Sequence, residues 1–277
     1  DKFGRIHKTA FLASTSILLA VTVVVTLGRF YIRFYVQRKL EADDVFLVLG
    51  FCCLLGGFGA LFVFINPMYM LTGLQFGGPE ILDSLPPDWL EIAYAYHQNS
   101  DITLTLTWVA IVCVKFSFLF FFRKLVDRSS SYILYWRLAL AVNILVAIYG
   151  FMVYFIACPH LTGISSLSCG QGPGTVRTFN FALSQMILDV FGDLLILVIP
   201  IRVIWQIRIS WLQKFTLAIS LCLTIVLIVI TIIRATGLRR GGDTIDSQWE
   251  IYWQIISAEV GIILTTVTTF RSFFVSR

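Results

Sequence analysis

The sequence predicts an all-α, polytopic membrane protein built as a seven-transmembrane helix bundle. Three observations carry that expectation. Apolar residues make up 58% of the 277-residue chain and charged residues only 13%, with mean hydropathy +0.85, whereas soluble domains carry about 25% charged residues. The apolar residues gather into seven runs, each as long as the roughly 20 residues a helix needs to cross a bilayer. The runs lack strict alternation, and lipid offers no partner to unpaired backbone, so helices are expected rather than strands. The spans fall at 9–36, 44–65, 99–122, 132–156, 178–204, 212–236 and 250–274, within a single domain of residues 1–277.

Each span has its own signal. Span one ends among Arg29, Arg33, Arg38 and Lys39, and span two opens on Asp43 and Asp44. These carboxylates suit a helix N-terminus and are also placed to pair with Arg29 or Arg33. The connection from Asn66 to Tyr96 contains Pro67, Gly77-Gly78-Pro79 and Pro86-Pro87, which predicts an irregular loop. Span three carries Asp101, Trp108 and Lys115 at seven-residue steps on one face, so Trp108 is a candidate to line a cavity, with packing or lipid contact as the plainer role. Span four carries Asn143. Span five carries Gln185, Asp189 and Asp193 at i, i+4 and i+8, stacked on one face. Span six ends near Arg234, expected to snorkel outward or pair with Asp246 or Glu250. Span seven places Tyr252, Glu259 and Thr266 on one face, with Glu259 near the bilayer centre, pointing inward, and Asn143 as a possible neutral neighbour.

Lys and Arg set the orientation. Basic residues follow spans one, three and five (Arg38, Lys39; Arg123, Lys124, Arg128; Arg202, Arg208, Lys214) and the last span (Arg271, Arg277), while the connection after span two has only Glu80, Asp83, Asp88 and Glu91 as charges. The positive-inside rule then puts the N-terminus outside and the C-terminus in the cytosol. Lys2, Arg5 and Lys8 in the N-terminal tail, and Arg239 and Arg240 between spans six and seven, run against it. Trp205 and Trp211 at the inner boundary, and Trp249 and Trp253 at the outer one, fit aromatic anchoring. No signal peptide is read, and a start at Asp1 is what the core of a longer chain would show.

Six cysteines are present. Cys52, Cys53, Cys113 and Cys222 fall inside spans, where small apolar packing is expected. Cys158 and Cys169 flank the fourth-to-fifth connection on the oxidising side, so a Cys158–Cys169 disulfide is expected, against two unrelated thiols. No CxxC or His/Cys cluster exists, and no metal site or cofactor is implied. The net charge of +5 is scattered at helix ends rather than gathered in a nucleic-acid patch. A retinal opsin needs a lysine in the seventh span, and residues 250–274 have none. The Asp-Arg-Tyr and Asn-Pro-x-x-Tyr motifs of mainstream receptors are also missing: span three ends Phe122-Arg123-Lys124, and span seven reads Thr265-Thr266-Val267-Thr268-Thr269-Phe270.

A set of motifs runs through nearly the whole chain. Ala42-Asp43-Asp44 opens span two. Lys115-Phe116-Ser117 precedes Phe122-Arg123, and Cys158-Pro159 precedes Cys169. Asp193 and Pro200 precede Lys214-Phe215. Ile233-Arg234 precedes Asp246 and Trp249, and Glu259-Val260-Gly261-Ile262 follows. In this order the set resembles the fungal rhodopsin-like domain family of integral membrane proteins. Members commonly carry a proline late in span seven, where this chain has a threonine run around Thr268. The resemblance implies the seven-helix fold and residence in the plasma membrane or an endomembrane. It also points to relatives that are receptor-like surface sensors and to others encoded in secondary-metabolite clusters.

Function is expected at the charges inside the spans, because intramembrane ionisable groups are expensive unless paired. Lys115 lies eight residues before Arg123 and Asp193 nine before Arg202, roughly 12 and 13 Å at 1.5 Å per residue. The depths match, so an ion pair is expected, with Asp189 as second partner. Leaving any of the three unpaired costs at least about 2.5–3.5 kcal/mol. Two carboxylates four residues apart disfavour joint ionisation unless a cation sits beside them. The candidate ligand-binding set is Lys115, Asp189, Asp193, Glu259, Trp108, Gln185, Tyr252 and Asn143. Three roles are open: a lock between spans three and five, a receptor-like site for a small apolar or amphipathic ligand with a cytosolic signalling partner, or a membrane-embedded cyclase or isomerase in which Asp189, Asp193 or Glu259 is the acid and Lys115 the electrostatic stabiliser. A proton or ion path, or a transporter, is weaker, since no internal repeat is visible.

Overall fold

A computed structural model describes residues 4–38, 42–76, 86–126, 130–158, 173–206, 211–240 and 244–275. Among them are seven α-helices: α1 (Lys8–Tyr31), α2 (Ala42–Phe76), α3 (Trp89–Val126), α4 (Ser130–Ala157), α5 (Pro173–Gln206), α6 (Trp211–Gly237) and α7 (Ser247–Val275). Five of them, α1 to α5, are long and apolar enough to cross a membrane. The expected all-α polytopic fold is what forms. A short antiparallel ribbon, β1 (Arg239–Arg240) with β2 (Thr244–Ile245), joins α6 to α7 outside the spans.

The bundle is inverted relative to a soluble protein. Ile17, Val24 and Leu27 of α1 are more than half exposed, while that helix buries Thr15, Thr22, Thr26 and Arg29. Thr15 and Thr22 return their hydroxyls to Phe11 O and Leu18 O at 2.8 Å each, so the inward polar stripe leaves these two donors satisfied. The exposed apolar face needs lipid. Small residues let α2 approach α3: a Cβ on Gly57 would lie 3.1 Å from Thr107 Cγ2, and Thr103 donates to Gly57 O at 3.3 Å. Close backbone approach of this kind drives helix association in lipid.

The expected irregular connection from Asn66 to Tyr96 is corrected at both ends. α2 continues through Pro67 to Phe76, and α3 starts at Trp89. Proline removes one backbone donor, but the turns beyond it have a buried face, Met68, Tyr69 and Thr72. Tyr69 donates to Ile6 O at 2.8 Å, and Lys8 donates to Asn66 Oδ1. At α3, Trp89 N bonds Pro86 O at 3.1 Å, so Pro86-Pro87 begins the helix rather than delaying it.

Of the basic residues that ran against the charge rule, Arg5 and Arg239 are held in place, and Lys2 lies outside the described residues. Arg5 donates to Gly237 O at 2.8 Å and Arg239 O at 2.9 Å, pairs with Asp246 at 3.4 Å, and lies over the Trp249 ring at 5.2 Å. Arg239 lies 4.3 Å from the Phe179 centroid. At the opposite end of the bundle a π-helical turn, Ile32–Gln37, runs to Arg38, whose φ of 49° is left-handed and ends the helix. There Arg29 and Arg33 form the expected ion pairs with α2. Arg29 reaches Asp43 at 2.8 Å, Asp44 at 2.6 Å and Thr265 O of α7 at 3.2 Å. Arg33 reaches the same carboxylates at 3.4 and 3.3 Å.

Candidate functional site

α3 and α5 bring Lys115, Asp189 and Asp193 together. Lys115 Nζ lies 2.7 Å from Asp189 Oδ1, 2.7 Å from Asp193 Oδ1 and 2.9 Å from Asp189 O. All three side chains are buried. The single cation between two carboxylates is the condition under which that pair can sit in a low-dielectric interior. A void of about 10 Å³ adjoins them, bordered also by Thr231 and Ser257. It is about the size of one water and admits no organic ligand.

Above this cluster runs a column of buried polar groups. Arg234 does not snorkel, nor does it form an ion pair with Asp246 or Glu250. It is 1% exposed, and its Nη1 donates to Gln254 Oε1 at 2.9 Å. Amide and phenol groups continue the column: Gln254 Nε2 donates to Leu104 O at 2.6 Å and Thr107 Oγ1 at 3.0 Å, and lies 3.3 Å from the Tyr154 hydroxyl. Tyr154 in turn accepts from Gln185 Nε2 at 3.2 Å. Gln185 and Tyr154 form the floor of a cavity of about 520 Å³, walled by turns of α2, α3, α4, α5 and α7 and by the α6–α7 ribbon.

That cavity is large enough for a small molecule, and sequence reasoning placed little in it. Of the candidate set only Gln185 lines it. The charged side chains in its wall are Asp101 and Glu250, with His97 beside them, while Trp89, Tyr96, Leu71, Leu74 and Val153 supply apolar surface. His97 lies 3.7 Å from Asp101 Oδ2 and 3.3 Å from Cys158 Sγ. Cys158 is disulfide-bonded; its expected partner Cys169 lies outside the described residues. The spacing of His97 and Asp101 at i and i+4 was a usable signal, lost because span three was expected to begin at residue 99. Glu250, Tyr154 and Gln254 carried no pattern that joins them to α3.

The remaining candidates go elsewhere. Trp108 packs against α4, donating to Ala147 O at 3.2 Å, and Gly150 makes the room, since a Cβ there would lie 2.3 Å from the indole. It borders a separate apolar groove between α3 and α4, not the cavity. Tyr252 faces α1, 5.0 Å from the Phe11 ring and 3.1 Å from Ser14 Oγ. Asn143 is not a neighbour of Glu259 by any bond among the described residues: its amide donates to Ala139 O, and its Oδ1 would meet a Cβ on Gly192 of α5 at 2.7 Å. Glu259 is 0% exposed, and neither carboxylate oxygen has a hydrogen-bond partner among the described residues. No group of three or more metal-ligating side chains occurs among the described residues.

A family model described as the fungal rhodopsin domain matches residues 28–276. No curated protein and no solved structure matches the chain significantly.

Proposed function

We propose that this chain, which belongs to the fungal rhodopsin domain family, is a receptor-like sensor that binds a small amphipathic ligand in the 520 Å³ cavity. It is an integral, multi-pass membrane protein. The observation that carries the proposal is the continuity of the polar column. A ligand touching Gln185 or Tyr154 presses on groups bonded through Gln254 to Arg234, one layer above the Lys115 cluster. The volume lies within the range of about 300–1,000 Å³ usual for small-molecule sites. The ligand sits on the Asp101–Glu250 side of the bundle, and the Lys115 cluster, tight and without room for a ligand, is the element whose geometry the ligand biases. The signal would leave through the basic end of the bundle to a cytosolic partner.

The enzyme alternative placed the acid at Asp189, Asp193 or Glu259. Asp189 and Asp193 are clamped by Lys115 beside a void of about 10 Å³, and Glu259 does not border the large cavity. An enzyme of this fold would have to use Asp101 or Glu250 instead.

Native mass spectrometry of the protein purified from a fungal host tests the proposal. The expected result is a bound small molecule on the wild type that is missing from Ala182→Phe, a change that fills the cavity wall, with equal yield and helical content of the two purified proteins. Identical spectra for the two proteins would sink it. Steady consumption of the bound molecule, with a new product released, would replace the sensor reading by the enzyme one.

A further inference from the structure

We infer that the cavity selects a ligand with a cationic, ammonium-type head group. The inference rests on the proposal that the cavity is a binding site, and it concerns what that site takes. Among the residues lining the cavity there is no lysine and no arginine, but there are two carboxylates, Asp101 and Glu250. Glu250 is 9% exposed, and among the described residues its carboxylate makes no hydrogen bond or ion pair. Asp101 Oδ2 is buried without a hydrogen-bond partner, as is Thr178 Oγ1 in the same wall. Arg234 acts on Glu250 only through space, its Nη1 being bonded to Gln254.

A buried carboxylate without a partner is costly to keep. Glu250 has none among the described residues, and Asp101 has only the His97 ring, 3.7 Å from its Oδ2; with no lysine or arginine in the wall, the two are best compensated by a cation that arrives with the ligand. The rest of the wall suits such a ligand. Trp89, Tyr96 and Tyr154 contribute aromatic rings, whose faces attract cations, and Leu71, Leu74 and Val153 offer surface to an apolar body. A carboxylate or phosphate head would meet two like charges and no lysine or arginine. The same residues therefore discriminate by repulsion as well as by attraction.

The test uses the full chain in phosphatidylcholine nanodiscs, titrated calorimetrically with phenylbutylamine and with phenylbutanol, empty nanodiscs serving as baseline. The amine is expected to bind about tenfold tighter or more, the scale of a charge-assisted hydrogen bond. Glu250→Gln and Asp101→Asn should each erase most of that advantage while leaving the alcohol's affinity unchanged, which also shows that the variants are folded. Asp88→Asn, an exposed carboxylate outside the cavity, should change neither. Equal affinities for amine and alcohol, with binding lost in Ala182→Phe, would overturn the cation preference and leave the cavity as a site. Absence of binding by both probes would overturn the preference and the cavity reading together.

Discussion

At the residue scale the molecule is governed by the asymmetry of buried charge. Lys115 compensates two carboxylates at 2.7 Å each, so removing it alone should cost more than removing either partner. Lys115→Met is expected to destabilise the protein by about 3–5 kcal/mol, the scale of breaking a buried pair from one side. The triple change Lys115→Met, Asp189→Asn, Asp193→Asn should recover most of that loss, because no uncompensated charge is left. Thermal unfolding in detergent checks both; equal loss in the single and triple variants would contradict the account. Glu259 is the opposite case. With no hydrogen-bond partner among the described residues, Glu259→Met is expected to leave stability unchanged or raise it by about 1 kcal/mol. Much of the ion cluster was legible in the sequence. Matching depth on two helices is a one-dimensional quantity, countable from Arg123 and Arg202, and the i, i+4 spacing fixes the shared face. The direction of Tyr252, Trp108 and Asn143 was not legible, because each lies on a face that two neighbouring helices could have covered.

At the element scale, aromatic side chains seat in glycine notches. Trp108 lies where a Cβ on Gly150 would be 2.3 Å away, and Trp249 where one on Gly237 would be 2.0 Å away. The clashing atoms belong to rigid indoles, so neither can yield cheaply. Gly150→Ala should cost about 1–3 kcal/mol, read as a lower melting temperature together with a shift in tryptophan emission. An unaltered melt would mean that α4 can retreat from α3. Helix existence and order followed from hydropathy alone. Helix ends did not: α2 and α3 extend well past the apolar runs because tertiary partners, Ile6 for Tyr69 and the cavity for the first turns of α3, support polar turns that hydropathy cannot see. That extension is what builds the cavity wall, so the error about the second connection and the failure to find the cavity have one cause.

At the scale of the whole molecule, two fastenings hold the bundle at opposite ends. Arg5 ties the N-terminal segment to the α6–α7 ribbon and Asp246, and Arg29 ties α1 to α2 and α7. We propose the orientation that the charge rule gives, with the N-terminal end outside and the basic end in the cytosol. An impermeant maleimide on intact cells should label Asp88→Cys, whereas Arg123→Cys should react only after permeabilisation; the reverse pattern would invert the molecule. The cavity lies toward the α6–α7 ribbon that Arg5 binds, with the ion cluster deeper in the bundle, so the bound state of that cavity is what matters most. A high-resolution map of the protein purified from a fungal host is the most direct measurement. Ligand density is expected within the cavity, its polar head between Asp101 and Glu250 and its lower edge against Tyr154. Density at Lys115, Asp189 and Asp193 with the upper cavity holding only water would contradict it.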